Sequence, residues 1–342
     1  MKAIVYTAPE KLEIQDLPVP VPKEGEVLLK VRACGICGSD VHGYLGRTGR
    51  RTAPMIMGHE FCGEVEELGT GTKTLKTGDR VAVYPVDYCG HCKMCEQGDV
   101  HLCLNKRAFG VLDVDGAFAE YISVPEKCCF PIADGISDSV ASLMEPLAVA
   151  YRGISHCESF ENKNVLLVGT GTIGLLALAC VKMKNAGKII VSDLSDDRLE
   201  VAKKLGADVV INPGREDFGQ RIMAETDGEG VDVSIEAVGI EPTVKQVMDA
   251  LKLGGEAIWI GNNAPTITIN MQQVVTRELK IQGSFLYGLE EFRQVVEFIN
   301  EKKVFVDTLI SKEISLEEVP EYFDRLAHAP GNMIKVVMTN RQ

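Results

Sequence analysis

Two short stretches carry the residues best suited to chemistry: Cys37-Gly38-Ser39-Asp40-Val41-His42 and, after it, Gly58-His59-Glu60. Thiol, imidazole and carboxylate recurring this closely, with a hydroxyl and a second imidazole between them, suit a metal ion with proton-handling groups around it. Cys37, His59 and a carboxylate make a mixed donor set that leaves one position open for water or substrate, as a catalytic zinc requires. Zinc held this way polarises an alcohol and lowers its pKa, so that hydride passes to a nicotinamide beside it. The released proton then needs a path. Ser39 is expected to take it from the substrate hydroxyl, and His42 to hand it to solvent. Cys34 and Cys37 also form a Cys-x-x-Cys that reads as a redox pair, although nothing else in the chain resembles a thioredoxin unit.

Cys89, Cys92, Cys95 and Cys103 follow with gaps of two, two and seven residues. Four soft ligands so close in sequence suit a closed tetrahedral zinc with no vacancy for substrate, hence a structural role. His91 and His101 lie in the same lobe, but four thiolates already fill the coordination sphere. The spacing matches iron–sulfur runs poorly.

A third constellation points to a nucleotide. Asn164-Val165-Leu166-Leu167-Val168 runs straight into Gly169-Thr170-Gly171-Thr172-Ile173-Gly174 and then into a helix-like apolar run. In such a turn the glycines permit the bend, the approach of backbone to a pyrophosphate and close helix–strand packing, while the helix start offers free N–H groups to the anion. Asp193 ends the next apolar run, where a carboxylate meets the ribose hydroxyls of NAD and repels the extra phosphate of NADP. NAD is therefore expected, with Arg198 nearby to stack on adenine or touch phosphate. Val238, Ile260 and Gly261 follow later strand-like runs and are further candidate cofactor contacts, as are Ser284 and Phe285.

These sites need elements to hold them, and 342 residues are enough for two domains with real cores. Residues 26–33, 61–68, 79–84 and 117–124 read as short strands broken by proline and glycine, giving a β-rich first part. Residues 140–154 read as helix. Apolar runs at 165–168, 189–191, 209–211, 233–235 and 257–260 then alternate with amphipathic stretches, as in a parallel sheet wrapped by helices. Helical patterns at 289–301 and 316–326 and a strand-like 333–339 close the chain, with no linker, so the domain boundary is expected inside continuous helix and strand. A formal charge of −13 argues against a nucleic-acid binder. The polar start and the lack of a long apolar run predict no secretory signal and no membrane span, so cytoplasm is the expected compartment. Eleven cysteines in such a chain are thiolate ligands or buried fillers rather than disulfides.

Taken in order, the two metal motifs, Gly63, the four-cysteine lobe, Gly116-Ala117-Phe118-Ala119-Glu120-Tyr121, Glu145-Pro146-Leu147 and the glycine-rich turn resemble the zinc-dependent medium-chain dehydrogenase/reductase family over essentially the whole chain. That resemblance implies an α/β protein: a β-rich GroES-like catalytic domain, 1–149 and 284–342, interrupted by a Rossmann-type NAD domain, 150–283. It implies Cys37 and His59 as zinc ligands, with Glu60 and Glu145 completing the site directly or through water, and Asp40 orienting a ligand imidazole. Glutamate at 145, where alcohol dehydrogenases tend to have cysteine, implies a polyol or sugar-alcohol oxidiser similar to sorbitol and galactitol-phosphate dehydrogenases. Substrate contacts are expected at Tyr44, Phe109 and Tyr287. The sorbitol-type arginine near Tyr287 is missing, and Arg47, Arg50 and Arg51 offer instead a place for a phosphate. Related threonine or 2,3-butanediol dehydrogenases are the alternative within the family, and an NAD-sensing protein without turnover is the alternative outside it. Homodimers or homotetramers are implied.

Overall fold

The computed structural model describes residues 1–112 and 114–340. They form two compact units, Met1–Glu145 rejoined by the chain from Gly288 onward, and Pro146–Tyr287. The expected boundaries, after 149 and before 284, lie a few residues inside the second unit. The first division falls within the helix Met144–Ser155. Pro146 sits in its first turn, where a missing N–H breaks no helical hydrogen bond.

The first unit is built around the strand Glu26–Gly35, which alternates enough apolar residues to bury one face and pairs antiparallel with Glu60–Leu68, Tyr121–Pro125 and Lys335–Thr339. Gly35 stands opposite Glu60 on one side and Val337 on the other, so the end of the chain is stitched beside the second metal motif. Residues 117–124 are not one strand. Only Tyr121–Pro125 enters the ladder, because Ala117 and Phe118 give their N–H groups to Gly58 and Met57 and the Phe118 carbonyl accepts from Ile4. Two strands outside the predicted runs, Lys2–Ala8 and Lys11–Asp16, form a hairpin that also pairs with Met55–Ile56.

The second unit is a six-stranded parallel sheet in the order Val209–Ile211, Ile189–Ser192, Val165–Val168, Val231–Glu236, Leu251–Trp259, Lys280–Gly283. Numbered along the chain that order is 3-2-1-4-5-6, with the reversal of direction between Val165–Val168 and Val231–Glu236, where doubly wound sheets bind nucleotides. Val165–Val168 and Ile189–Ser192 are buried on both faces, which is why they read as unbroken apolar runs rather than alternation. Among the described residues no helix is long and apolar enough to cross a membrane.

Candidate metal centre and dinucleotide cradle

Cys37 caps the helix Gly38–Tyr44: its sulfur accepts from the Ser39 N–H at 3.5 Å, and the Asp40 carboxylate accepts from the Cys37 N–H at 3.4 Å. This reciprocal cap points the thiol out of the helix start. Gly58 turns the chain into the second motif with φ +100°; a Cβ there would stand 2.8 Å from Cys34 Sγ and 2.9 Å from the Phe118 ring, so only glycine fits. Donor atoms of Cys37, His59 and Glu60 then lie within 4.8 Å of one another, close enough for one ion to reach all three. His59 Nδ1 faces Asp40 Oδ1 at 3.2 Å, which leaves Nε2 as the nitrogen for a metal.

The ionisable groups of this pocket are paired. Burial opposes charge on the His59 ring, but Asp40 and Cys37 outweigh it and hold its pKa well above the usual histidine range. Asp40, with burial likewise overcome by His59 and Arg51, falls to about 2. Glu60, 1 % exposed, accepts from Lys335 Nζ through both oxygens, at 2.9 and 2.6 Å. Burial pulls the Lys335 pKa down, yet Glu60, Cys37 and Glu145 together raise it. Glu145 is buried in the same neighbourhood but stands outside the 4.8 Å set. Lys335 was invisible to sequence reasoning because it lies 275 residues from Glu60; a lone lysine leading a buried apolar strand was the available signal.

The residues expected to meet substrate differ in their surroundings. Tyr44 gives its hydroxyl to the Glu10 carbonyl at 3.1 Å and packs edge-on against Phe323. Tyr287 is enclosed, at 1 % exposure. Phe109 lines a cavity of about 470 Å³ whose walls include none of the metal donors. Arg47 and Arg50 are exposed, but Arg51 turns inward, its guanidinium 2.7 Å from Asp40 Oδ1 and 3.4 Å from Ser39 Oγ. Of the three arginines expected to offer a place for a phosphate, Arg51 is instead paired with a buried carboxylate, which leaves Arg47 and Arg50 exposed. Ser39 is exposed and its hydroxyl is 3.3 Å from Cys37 Sγ, and His42 is half-buried on the same short helix.

The four cysteines of the lobe converge. Cys92–Cys95, Cys103–Cys89, Cys92–Cys103 and Cys89–Cys95 sulfurs are 3.5, 3.5, 3.8 and 3.9 Å apart. Zinc–sulfur bonds of about 2.3 Å in a regular tetrahedron set sulfurs about 3.8 Å apart, so the set fits one zinc and is far too open for disulfides. The His91 N–H draws the Cys89 thiol down to about 6, whereas burial and the neighbouring thiols hold Cys95 up at about 12. Four thiols this close do not all ionise without a cation. His91 turns its Nδ1 to the Cys89 carbonyl at 2.8 Å and His101 is buried, so neither joins the sulfur set.

In the second unit Gly169 adopts φ +98°, and a Cβ on Gly174 would collide with the Gly169 carbonyl oxygen. Gly171 caps the helix Thr172–Met183 without a side-chain bond, and a Cβ there would meet open space. The Asp193 carboxylate, just past its strand, accepts from the Thr170 and Ser195 N–H groups at 2.7 and 2.9 Å. Arg198 lies in the helix that follows, and Ile173 is half-buried at the start of the helix after the turn. Glu236, wholly buried, accepts from the N–H groups of Val238 and Gly239, and its carbonyl accepts from those of Ile260 and Gly261, fixing both later loops at the carboxyl edge of the sheet. Thr170 Oγ1 and Ser284 Oγ are buried without a hydrogen-bond partner, while Phe285 is 45 % exposed. A glycine turn at a helix start, an acid just past the next strand and two buried hydroxyls without a partner fit a dinucleotide.

Comparison with known proteins gives the family. Residues 23–134 match the family model of the alcohol dehydrogenase GroES-like domain, and residues 172–301 that of the zinc-binding dehydrogenase. The chain is 34 % identical to a sorbitol dehydrogenase of Bacillus subtilis, over 99 % of this chain and 97 % of that one. It is 40 % identical to an L-threonine 3-dehydrogenase of Pyrococcus horikoshii, over 83 % and 82 %. A solved alcohol dehydrogenase of Escherichia coli CFT073, complexed with NADH, superposes with a TM-score of 0.92 at 31 % identity, covering 99 % of each chain. On both family models and a likeness that runs over 99 % of the chain, this protein belongs to the zinc-dependent alcohol dehydrogenase family, oxidoreductases that use zinc and a nicotinamide dinucleotide.

Proposed function

We propose that the enzyme oxidises a secondary alcohol of a polyol or sugar alcohol to the ketone, with NAD as hydride acceptor. The observation that carries this reading is the sorbitol dehydrogenase likeness, which spans the whole chain and both metal motifs. Cys37 and His59 hold the catalytic zinc, with Glu60 or Glu145 completing the site, and Cys89, Cys92, Cys95 and Cys103 hold the structural one. Bound zinc supplies a Lewis acid that acidifies the alcohol, and NAD supplies the hydride acceptor. Ser39, beside the Cys37 sulfur, takes the hydroxyl proton, and His42 passes it to solvent. Asp193, held at the glycine turn by Thr170, receives the ribose hydroxyls and disfavours NADP. The exposed Arg47 and Arg50 support a phosphate on the substrate.

Identity with the threonine dehydrogenase supports a second reading, oxidation of the L-threonine hydroxyl, on the same machinery. A panel of sorbitol, xylitol, galactitol, galactitol 1-phosphate, 2,3-butanediol and L-threonine, read by NADH absorbance, separates the two. Fastest turnover of a polyol with NAD is expected. Turnover of threonine alone overturns the polyol reading, and equal rates on galactitol and its 1-phosphate discard the phosphate. The strand Lys280–Gly283 leaves an open edge on the parallel sheet, which supports a homodimer or homotetramer, with the cytoplasm as its compartment. A monomeric mass in sedimentation would remove the assembly.

A further inference from the structure

We propose that Arg51 is a positioning residue of the catalytic metal centre, locking the carboxylate that aims His59 and tying the loop carrying Arg47 and Arg50 to the metal ligands. The inference rests on the reading that Cys37 and His59 hold zinc. Asp40 makes three contacts: its Oδ2 accepts from the Cys37 N–H at 3.4 Å, and its Oδ1 meets His59 Nδ1 at 3.2 Å and Arg51 Nη2 at 2.7 Å. The arginine contact is the shortest of the three and joins two full opposite charges, so it sets where the carboxylate lies. The other two contacts reach one metal donor each. A shift of Asp40 therefore moves the ring of His59 and the cap of Cys37 together.

The position is built to receive this side chain. Arg51 is 3 % exposed at its side chain, a burial an arginine tolerates only when paired. Its stem crosses the short helix at Gly43, where a Cβ would collide with Arg51 Cγ. The backbone is tied as well, since the Arg50 carbonyl accepts from the Leu112 N–H at 2.7 Å and Arg51 bridges to Leu112. Arg51 Nη2 also lies 3.4 Å from Ser39 Oγ, so one guanidinium borders both the ligand-orienting carboxylate and the hydroxyl that takes the proton.

The test counts zinc and uses no turnover. Wild-type, Arg51→Met, Arg51→Lys and Gly43→Ala proteins are dialysed against a chelator and zinc per chain is followed by elemental mass spectrometry. The wild type is expected to start with two zincs. Arg51→Met should lose one of them at least about 10-fold faster, the usual scale for removal of an outer partner of a metal ligand, with the other unchanged. Arg51→Lys should recover most of the loss, and Gly43→Ala, which keeps the arginine but displaces its stem, should lose zinc faster than wild type. With cobalt in the labile position, the visible absorption band should move in Arg51→Met and return in Arg51→Lys. Wild-type release rates and an unmoved cobalt band in Arg51→Met and Gly43→Ala overturn the role of Arg51. A wild type that never binds more than the structural zinc overturns the metal reading itself.

Discussion

Lys335 and Glu60 form a buried ion pair beside the proposed metal donors Cys37 and His59. Both are buried, and the lysine also reaches the Ile36 carbonyl at 3.1 Å, so Glu60 is hydrogen-bonded through both oxygens beside Cys37 and His59. Removing one partner of a buried pair leaves the other charge without compensation, which costs about 3–5 kcal/mol, whereas removing both costs far less. Lys335→Met should therefore lower the urea-unfolding free energy by about that amount, and Lys335→Met combined with Glu60→Leu should restore most of it. Equal losses in the single and double variants would show that the lysine acts as packing. The site was legible in sequence only as far as local spacing carried it. Cys37, His59 and Glu60 fall within one short stretch, but their charge partner comes from the last strand, and the inward turn of Arg51 depends on a notch at Gly43 that no spacing reveals.

At the scale of elements, the glycine turn separates folding from binding. A Cβ on Gly174 meets backbone, the Gly169 carbonyl, so the helix Thr172–Met183 must move off its strand. A Cβ on Gly171 meets no protein atom, and only a bound dinucleotide would feel it. Gly174→Ala should thus cost about 1–3 kcal/mol of stability together with NADH affinity. Gly171→Ala should unfold at the wild-type urea concentration but bind NADH at least about 10-fold more weakly, a change of about 1.4 kcal/mol seen in nucleotide fluorescence titration. Unaltered affinity in Gly171→Ala would remove the turn from the pyrophosphate site. The strands that frame this turn were readable because burial on both faces made them continuous apolar runs, as at Val165–Val168. Lys280–Gly283 gave no such run, since it is an exposed edge strand, and Lys2–Ala8 is too short an apolar run for periodicity to tell strand from helix.

Across the whole molecule, the two units differ in how the chain closes them. Pro146–Tyr287 is continuous, and all six strands of its sheet and its core, including Leu166, Ile190, Ile211 and Val247, come from within it. The other unit needs both ends of the chain. Its central strand Glu26–Gly35 is covered on one side by Lys335–Thr339, which in turn carries Ile310–Ile314, and Lys335 neutralises Glu60. A fragment of residues 1–145 would expose that strand edge and leave Glu60 buried without its cation, two faults that favour aggregation over folding. Expression of residues 146–287 alone should give a soluble protein with a cooperative thermal transition that still binds NADH, whereas residues 1–145 alone should be recovered only as aggregate. Adding residues 288–342 in trans supplies the missing strand and lysine and should bring part of 1–145 back into solution. A folded, zinc-loaded 1–145 without that addition would show that the returning strand is an ornament of the catalytic unit and not one of its supports.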